Sequence, residues 1–370
     1  MRLSTRNSFD IVVLGIACTG AAAAPLLPGQ DAGYGGIYFG ACLVAFLALA
    51  VCAWLRGVVL KSQEISLFIV LSALAAYRTI EEGGAAFLLL PVSALAMIVS
   101  AKSLRERDIV SESLVPLLGI AIFWTLTLWV IGEQDPFEGR YSIVNGDPNH
   151  TAAMLLPGIL VSMIFGKNRF GLSLLAFLVG ASLIFLTESR SGALAFIFAG
   201  AFHFSTTVQR LLESWVCTLV VLLAIILAQT FAHYFIFELA GASTIGRETL
   251  GLLDQSNYGR MLAYEQASSL WTRSFGEFLF GVKNFAAAQS DFTLRVHHGF
   301  LELAMRGGAI QGSTWLALMA ASIRHGSADF RALMVALAIL GSVLSSAVFS
   351  FPLLLATSLL VMSSNRTLNG

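Results

Sequence analysis

Apolar runs separated by short polar breaks recur along the whole chain. Cores at 11–28, 37–55, 64–78, 85–101, 113–131, 150–166, 170–187, 191–206, 214–235, 299–322, 331–348 and 351–363 have the length and apolarity of membrane-crossing helices. A span needs about 20 apolar residues, because the helix rises only about 1.5 Å per residue through the hydrocarbon. The third and last cores are short. The pattern predicts an all-α, polytopic helical membrane protein of about 12 transmembrane helices, one integral membrane domain over 1–370.

Two polar segments interrupt this rhythm. One is 132–149 (GEQDPFEGRYSIVNGDPN). The other, 236–298, is the long loop between the ninth and tenth helices. Loops of that length in a compact bundle are usually functional. Within it, Gly259–Trp271 sets Tyr264, Ala267 and Trp271 on one helical face, and Phe275, Phe278, Leu279 and Phe280 follow. This predicts an amphipathic helix at a membrane–water boundary. A cap over the bundle with no chemistry is the plainer reading.

Composition agrees. The chain is 57% hydrophobic and only 12% charged, with mean hydropathy +0.80, where soluble domains carry about a quarter charged residues. That excludes a soluble globular enzyme, a disordered protein and a nucleic-acid binder. Lys+Arg 22 against Asp+Glu 22 gives no net charge, so bulk charge calls for no polyanionic partner. Cys18, Cys42, Cys52 and Cys217 lie in apolar runs without metal spacing and read as small buried hydrophobes. The basic start before Ile11–Pro28 mimics a secretory signal, but further spans follow at once, so it reads as an uncleaved first helix.

Lysine and arginine set the orientation. With the N-terminus in the cytoplasm, Arg2, Arg6, Arg56, Lys61, Lys102, Lys167, Arg210, Arg324 and Arg331 fall inside. Asp31, Glu81, Glu82, Glu133, Asp135, Glu138 and Asp147 fall outside. Both termini are then cytoplasmic, and the loop 236–298 is periplasmic if the membrane is a bacterial inner membrane.

Few polar residues are left to carry chemistry. Arg190 stands in a tight outer turn, Leu186–Gly192; a membrane arginine lies near the interface or lines a cavity, and its planar fork suits phosphate. A salt bridge with Glu188 or a headgroup anchor explains it more plainly. Arg260 opens the amphipathic helix, where the helix dipole disfavours a cation, so an anionic partner accounts for it better than solvation alone. His297 and His298 precede the tenth core, and histidine can take a proton near neutral pH. His298, Glu302 and Arg306 share one stripe if the helix starts early enough; a polar cap plus an ion pair is the simpler account. Asn149, after Pro148, is an N-cap or a substrate contact. No Asp-X-Asp pair, Gly-rich phosphate loop, His/Cys metal set or inverted repeat is visible.

Four stretches in order resemble the O-antigen ligase and O-antigen polymerase superfamily of bacterial inner membranes. They are Asn145–Ala153 (NGDPNHTAA), Leu186–Ala195 (LTESRSGALA), Tyr258–Phe285 (YGRMLAYEQA…FGVKNF) and His297–Gly312 (HHGFLELAMRGGAIQG). The resemblance covers about 145–312, while the earlier spans match only as generic helices. The family usually has Asn after the histidine, where this chain has His298, and the spacing of Gly308 and Gly312 departs from its pattern.

The resemblance implies a glycosyltransferase whose donor is an undecaprenyl-diphosphate-linked glycan, with glycan or lipid A-core as acceptor and an active site on the periplasmic face. Membrane lipids surround it, and other polysaccharide export proteins are partners the resemblance allows. In that reading Arg190 and Arg260 bind the diphosphate, and Glu302, Arg306 and Asn149 support the site. Family register points to His297 as general base and the helical stripe to His298. Two arginines can replace a divalent ion, so the reaction is expected to be metal-independent and to need no cofactor. The preferred activity is polymerisation of O-antigen or exopolysaccharide repeat units, because no core-binding feature stands out. The alternatives are an O-antigen ligase, a lipid-linked glycan flippase, and a peptidoglycan polymerase in which Asp254 or Asp291 would be essential.

Overall fold

A computed structural model describes residues 57–82, 85–104, 170–240, 255–285 and 298–342, with scattered positions between 40 and 54, four residues of a small ladder at 133–134 and 141–142, and positions between 149 and 159. The expected spans at 11–28, 113–131 and 351–363 lie outside the described residues.

The described part is helical. In chain order the helices are α1 (Ser62–Glu82), α2 (Leu89–Leu104), α3 (Phe170–Thr187), α4 (Arg190–Phe204), α5 (Thr206–Leu211), α6 (Trp215–Ala240), α7 (Gln255–Trp271), α8 (Phe275–Phe280), α9 (Gly299–His325) and α10 (Ala328–Gly341). A short 3-10 turn, Ala85–Leu88, leads into α2. The segment read as a plain loop at 132–149 contains a two-residue antiparallel ladder, β1 (Glu133–Gln134) with β2 (Tyr141–Ser142). Among the described residues one helix, α1, is long and apolar enough to cross a membrane; the apolar stretches of α2, α3, α4, α6 and α10 are shorter.

Local chemistry explains the helix starts. Ser189, Ser274, His298 and Ser327 stand in extended backbone as N-caps, each accepting a bond from a backbone N–H three residues on. Such bonds satisfy donors that have no partner inside the helix. Apolar side chains then decide the packing. α9 packs on α1, α2, α6 and α8, and α10 packs on α4. Leu71, Met97, Phe300, Trp315 and Phe330 are fully or almost fully buried in one continuous core. The outer faces are apolar as well: Phe185 is 79% exposed, Val216 67% and Phe231 63%.

Two ends of the bundle follow from the contacts. Glu64, at the start of α1, meets Lys102 of α2 and His325 at the end of α9. Arg331, opening α10, bonds the Gln209 carbonyl and Glu213 between α5 and α6. These elements share one end. The opposite end collects the last turn of α1, the α3–α4 turn and the start of α9.

α6 runs to Ala240, so the long segment after it begins later than 236. The tenth apolar core, read as one continuous span, is broken: Gly308 has φ 79° and ψ 171° inside α9. The physical reason is the close approach of the Leu279–Phe280 backbone to Gly308.

Candidate functional site

The α3–α4 turn brings two of the expected motifs together. Glu188 has φ 48°, which turns the chain, and Ser189 caps α4. Ser189 Oγ donates to Asn149 Oδ1 at 2.8 Å and lies 3.2 Å from Ser191 Oγ. Asn149 already has helical backbone, so its side chain acts as an acceptor from another element. Gly192 is small by necessity, because a Cβ there would approach the Ala152 Cβ to 2.6 Å. Arg190 is the first residue of α4, and it is exposed beside this hydroxyl cluster.

The second group lies around the start of α9. His298 is 0% exposed. Its Nδ1 accepts from the Leu301 N–H at 3.2 Å, and its ring stands edge-on to Tyr264, centroids 5.8 Å apart. His298 stands one residue before the helix, and burial pushes its ring pKa down to about 4, opposed by a backbone hydrogen bond at Ile226. The ring is therefore neutral, and one nitrogen is committed to the cap. The expected stripe is completed only by Glu302 and Arg306, whose Oε1 and Nη2 lie 2.7 Å apart. A polar cap plus an ion pair is what these three residues form. His297 lies outside the described residues. Arg260 is in α7, and its side chain is likewise outside the described part. On the same helix Tyr264 and Ala267 are buried and Trp271 half-buried, packed with Val282, Phe285 and Met305.

Sequence reasoning missed the residues that surround this group. Arg78, in the last turn of α1, is only 1% exposed. It pairs with Glu81 and Glu82 and donates from Nη2 to the Val282 carbonyl at 2.7 Å. The Val282 N–H in turn donates to the Met305 carbonyl at 2.7 Å. Arg306 lies over the Phe285 ring at 5.1 Å. The Arg78–Glu81–Glu82 group on α1 and the Glu302–Arg306 pair on α9 thus flank the segment after α8, which offers them the Val282 carbonyl and the Phe285 ring. The sequence signal was present: Arg78 followed by acids three and four residues on, on one helical face. Below the break in α9, Gln311 is fully buried, and its amide atoms have no hydrogen-bond partner among the described residues.

α8 fixes the segment that reaches the break. Ser274 Oγ accepts from the Glu277 N–H at 3.1 Å, and Arg273 grips the Glu277 carboxylate. The Arg273 hydrogen bond holds that carboxyl below the usual carboxylate range. Trp271 Nε1 donates to the Phe278 carbonyl at 3.0 Å, and the two rings stack.

The two groups pack through different neighbours: α4 lies chiefly on α10, whereas α9 lies chiefly on α2, α1 and α8, and α10 also contacts α6 and α9. Among the described residues no three His, Cys, Asp or Glu side chains are grouped to hold a metal ion. No family model, curated protein or solved structure matches the chain.

Proposed function

We propose that this chain is a multi-pass bacterial inner-membrane glycosyltransferase of the O-antigen ligase and polymerase type. The donor is an undecaprenyl-diphosphate-linked glycan, and the acceptor is a growing glycan or lipid A-core. The carrying observation is that the motif stretches meet in pairs: Ser189 bonds Asn149, and Tyr264, Val282 and Phe285 pack on Met305 beside the Arg78–Glu82 and Glu302–Arg306 ion pairs. The strongly exposed apolar faces of α3 and α6 support burial in lipid; the proposal has about 12 spans, cytoplasmic termini and a periplasmic site.

In this reading an acceptor hydroxyl oxygen attacks the anomeric carbon. The bond from that carbon to the diphosphate oxygen breaks, and the hydroxyl proton passes to a base. His297 takes that role, because His298 already spends Nδ1 on capping α9 and burial makes its ring a weak base. Arg190 and Arg260 neutralise the departing lipid diphosphate by charge-assisted hydrogen bonds, which makes a divalent ion unnecessary. Asn149 steadies the Ser189 cap that carries Arg190. Glu302 and Arg306 stiffen the mouth of α9.

Arg190→Ala and Arg260→Ala are each expected to abolish transfer while the protein still inserts. Full activity in both would sink the diphosphate role. Activity should survive EDTA, and a loss rescued by Mg²⁺ would refute metal independence. Deleting the gene in its source cell and weighing the lipid-linked glycans separates the activities. Single repeat units accumulating mean a polymerase, the preferred reading. Long chains stranded on the carrier mean a ligase, and unchanged glycans in the deletion strain would rule out both.

A further inference from the structure

The end of the bundle opposite His298 holds a polar cavity of about 530 Å³ lined by Lys61, Glu213, Arg324, His325 and Arg331. Three of these five side chains are permanent cations and one is an acid. Arg331 forms a fixed wall. Its Nε donates to the Ile323 carbonyl at 3.3 Å, and its Nη1 bonds the Gln209 carbonyl at 3.2 Å and Glu213 Oε1 at 3.1 Å. The one lining acid is therefore already paired. His325 Nε2 lies 3.2 Å from Glu64 Oε1, and Lys102 holds the other oxygen of that carboxylate. Two cations remain in excess, Lys61 and Arg324. Both are exposed, and neither side chain has a protein partner among the described residues. Arg324, in the last turn of α9, suits the helix dipole. Lys61 does not, because it stands just before the start of α1, where the dipole repels a cation. An anion seated between the two answers both charges at once.

We propose that this cavity binds a phosphate-bearing anion, with the Arg324 guanidinium and the Lys61 ammonium on its oxygens and Arg331 as the fixed cationic wall. Arginine's fork and lysine's point charge are the usual pair for such a group. The phosphate is either carried by an anionic lipid headgroup or free in solution. The lipid source alone rests on the membrane reading above; the soluble source does not, and neither depends on glycosyl transfer.

The test uses the full chain purified in a non-ionic maltoside detergent at fixed ionic strength. One probe is inorganic phosphate. The other is phosphatidylglycerol added to the micelles, with phosphatidylcholine as control. Binding is read from the rise in melting temperature along each titration. We expect at least one probe to stabilise the wild type, and Arg324→Gln and Lys61→Gln each to weaken its apparent affinity by about tenfold. Both side chains are exposed, so the variants should melt with the wild type when no probe is present. Arg324→Lys and Lys61→Arg, which keep the charge, should retain most of the response. A response to phosphatidylglycerol alone identifies a lipid headgroup, and a response to inorganic phosphate identifies a soluble ligand. No response to either probe, or one unchanged in both glutamine variants, overturns the site.

Discussion

His298 shows how one side chain can look catalytic in sequence and be structural in place. Its Nδ1 accepts from the Leu301 N–H, its ring packs against Tyr264, and no part of it is exposed. Burial holds the folded ring at about 4, below the ordinary 6.5, so the folded state takes up a proton less readily than the unfolded state. Stability from this residue is full above about 6.5 and is lost as pH falls through the interval down to about 4, up to about 3 kcal/mol. Asn caps helices at least as well and does not titrate. His298→Asn should therefore fold at neutral pH and lose less stability on acidification than the wild type. Melting curves across that interval check it; parallel acid losses in the two proteins would remove the account. The sequence pointed to this pair of histidines, but only burial and the cap show what His298 does in the fold.

At the scale of the element, α9 owes its shape to its neighbour. The end of α8 runs so close to the break that a Cβ on Gly308 would lie 2.0 Å from the Leu279 carbonyl oxygen. A Cβ on Gly281, φ 97°, would lie 2.3 Å from the Arg306 carbonyl oxygen. Each glycine makes room for the other's backbone, and the Val282–Met305 hydrogen bond closes the contact. Gly308→Ala is expected to cost at least about 1–3 kcal/mol from the backbone conformation alone, with the clash added. Gly312→Ala is the control, since its Cβ would find only ordinary contact at 3.5 Å. Gel filtration and melting temperature of the two variants should separate them clearly, and equal stability would remove the close-approach argument. Apolar periodicity made this stretch legible as a helix. It could not reveal the break, because Gly308 is required by a contact with residues some thirty positions earlier.

At the scale of the molecule, Arg78 ties the bundle to the segment between α6 and α9. It pairs with Glu81 and Glu82 and holds the Val282 carbonyl at 2.7 Å, which in turn positions the first half of α9. Removing one partner of a buried ionic group leaves charge uncompensated, at about 3–5 kcal/mol. Arg78→Ala should therefore destabilise the protein by about that amount. The triple variant that also carries Glu81→Gln and Glu82→Gln should recover part of the loss. Melting temperatures of the single and triple variants decide it; a triple variant no better than the single would show that charge pairing is not the cause.

Sequence alone determined the helical class, the places of most helices among the described residues, and the polar stretches worth attention, because apolar periodicity is a local signal. It also held the Asn149, Arg190 and His298 stretches, though not their partners. Tertiary structure decided that Asn149 serves the Ser189 cap, that Glu302 and Arg306 pair while His298 caps α9, that Arg78 is buried, and that Lys61, Arg324 and Arg331 share a cavity. Those outcomes depend on which helix ends meet. Contacts between distant segments fix that, and no window of sequence contains them.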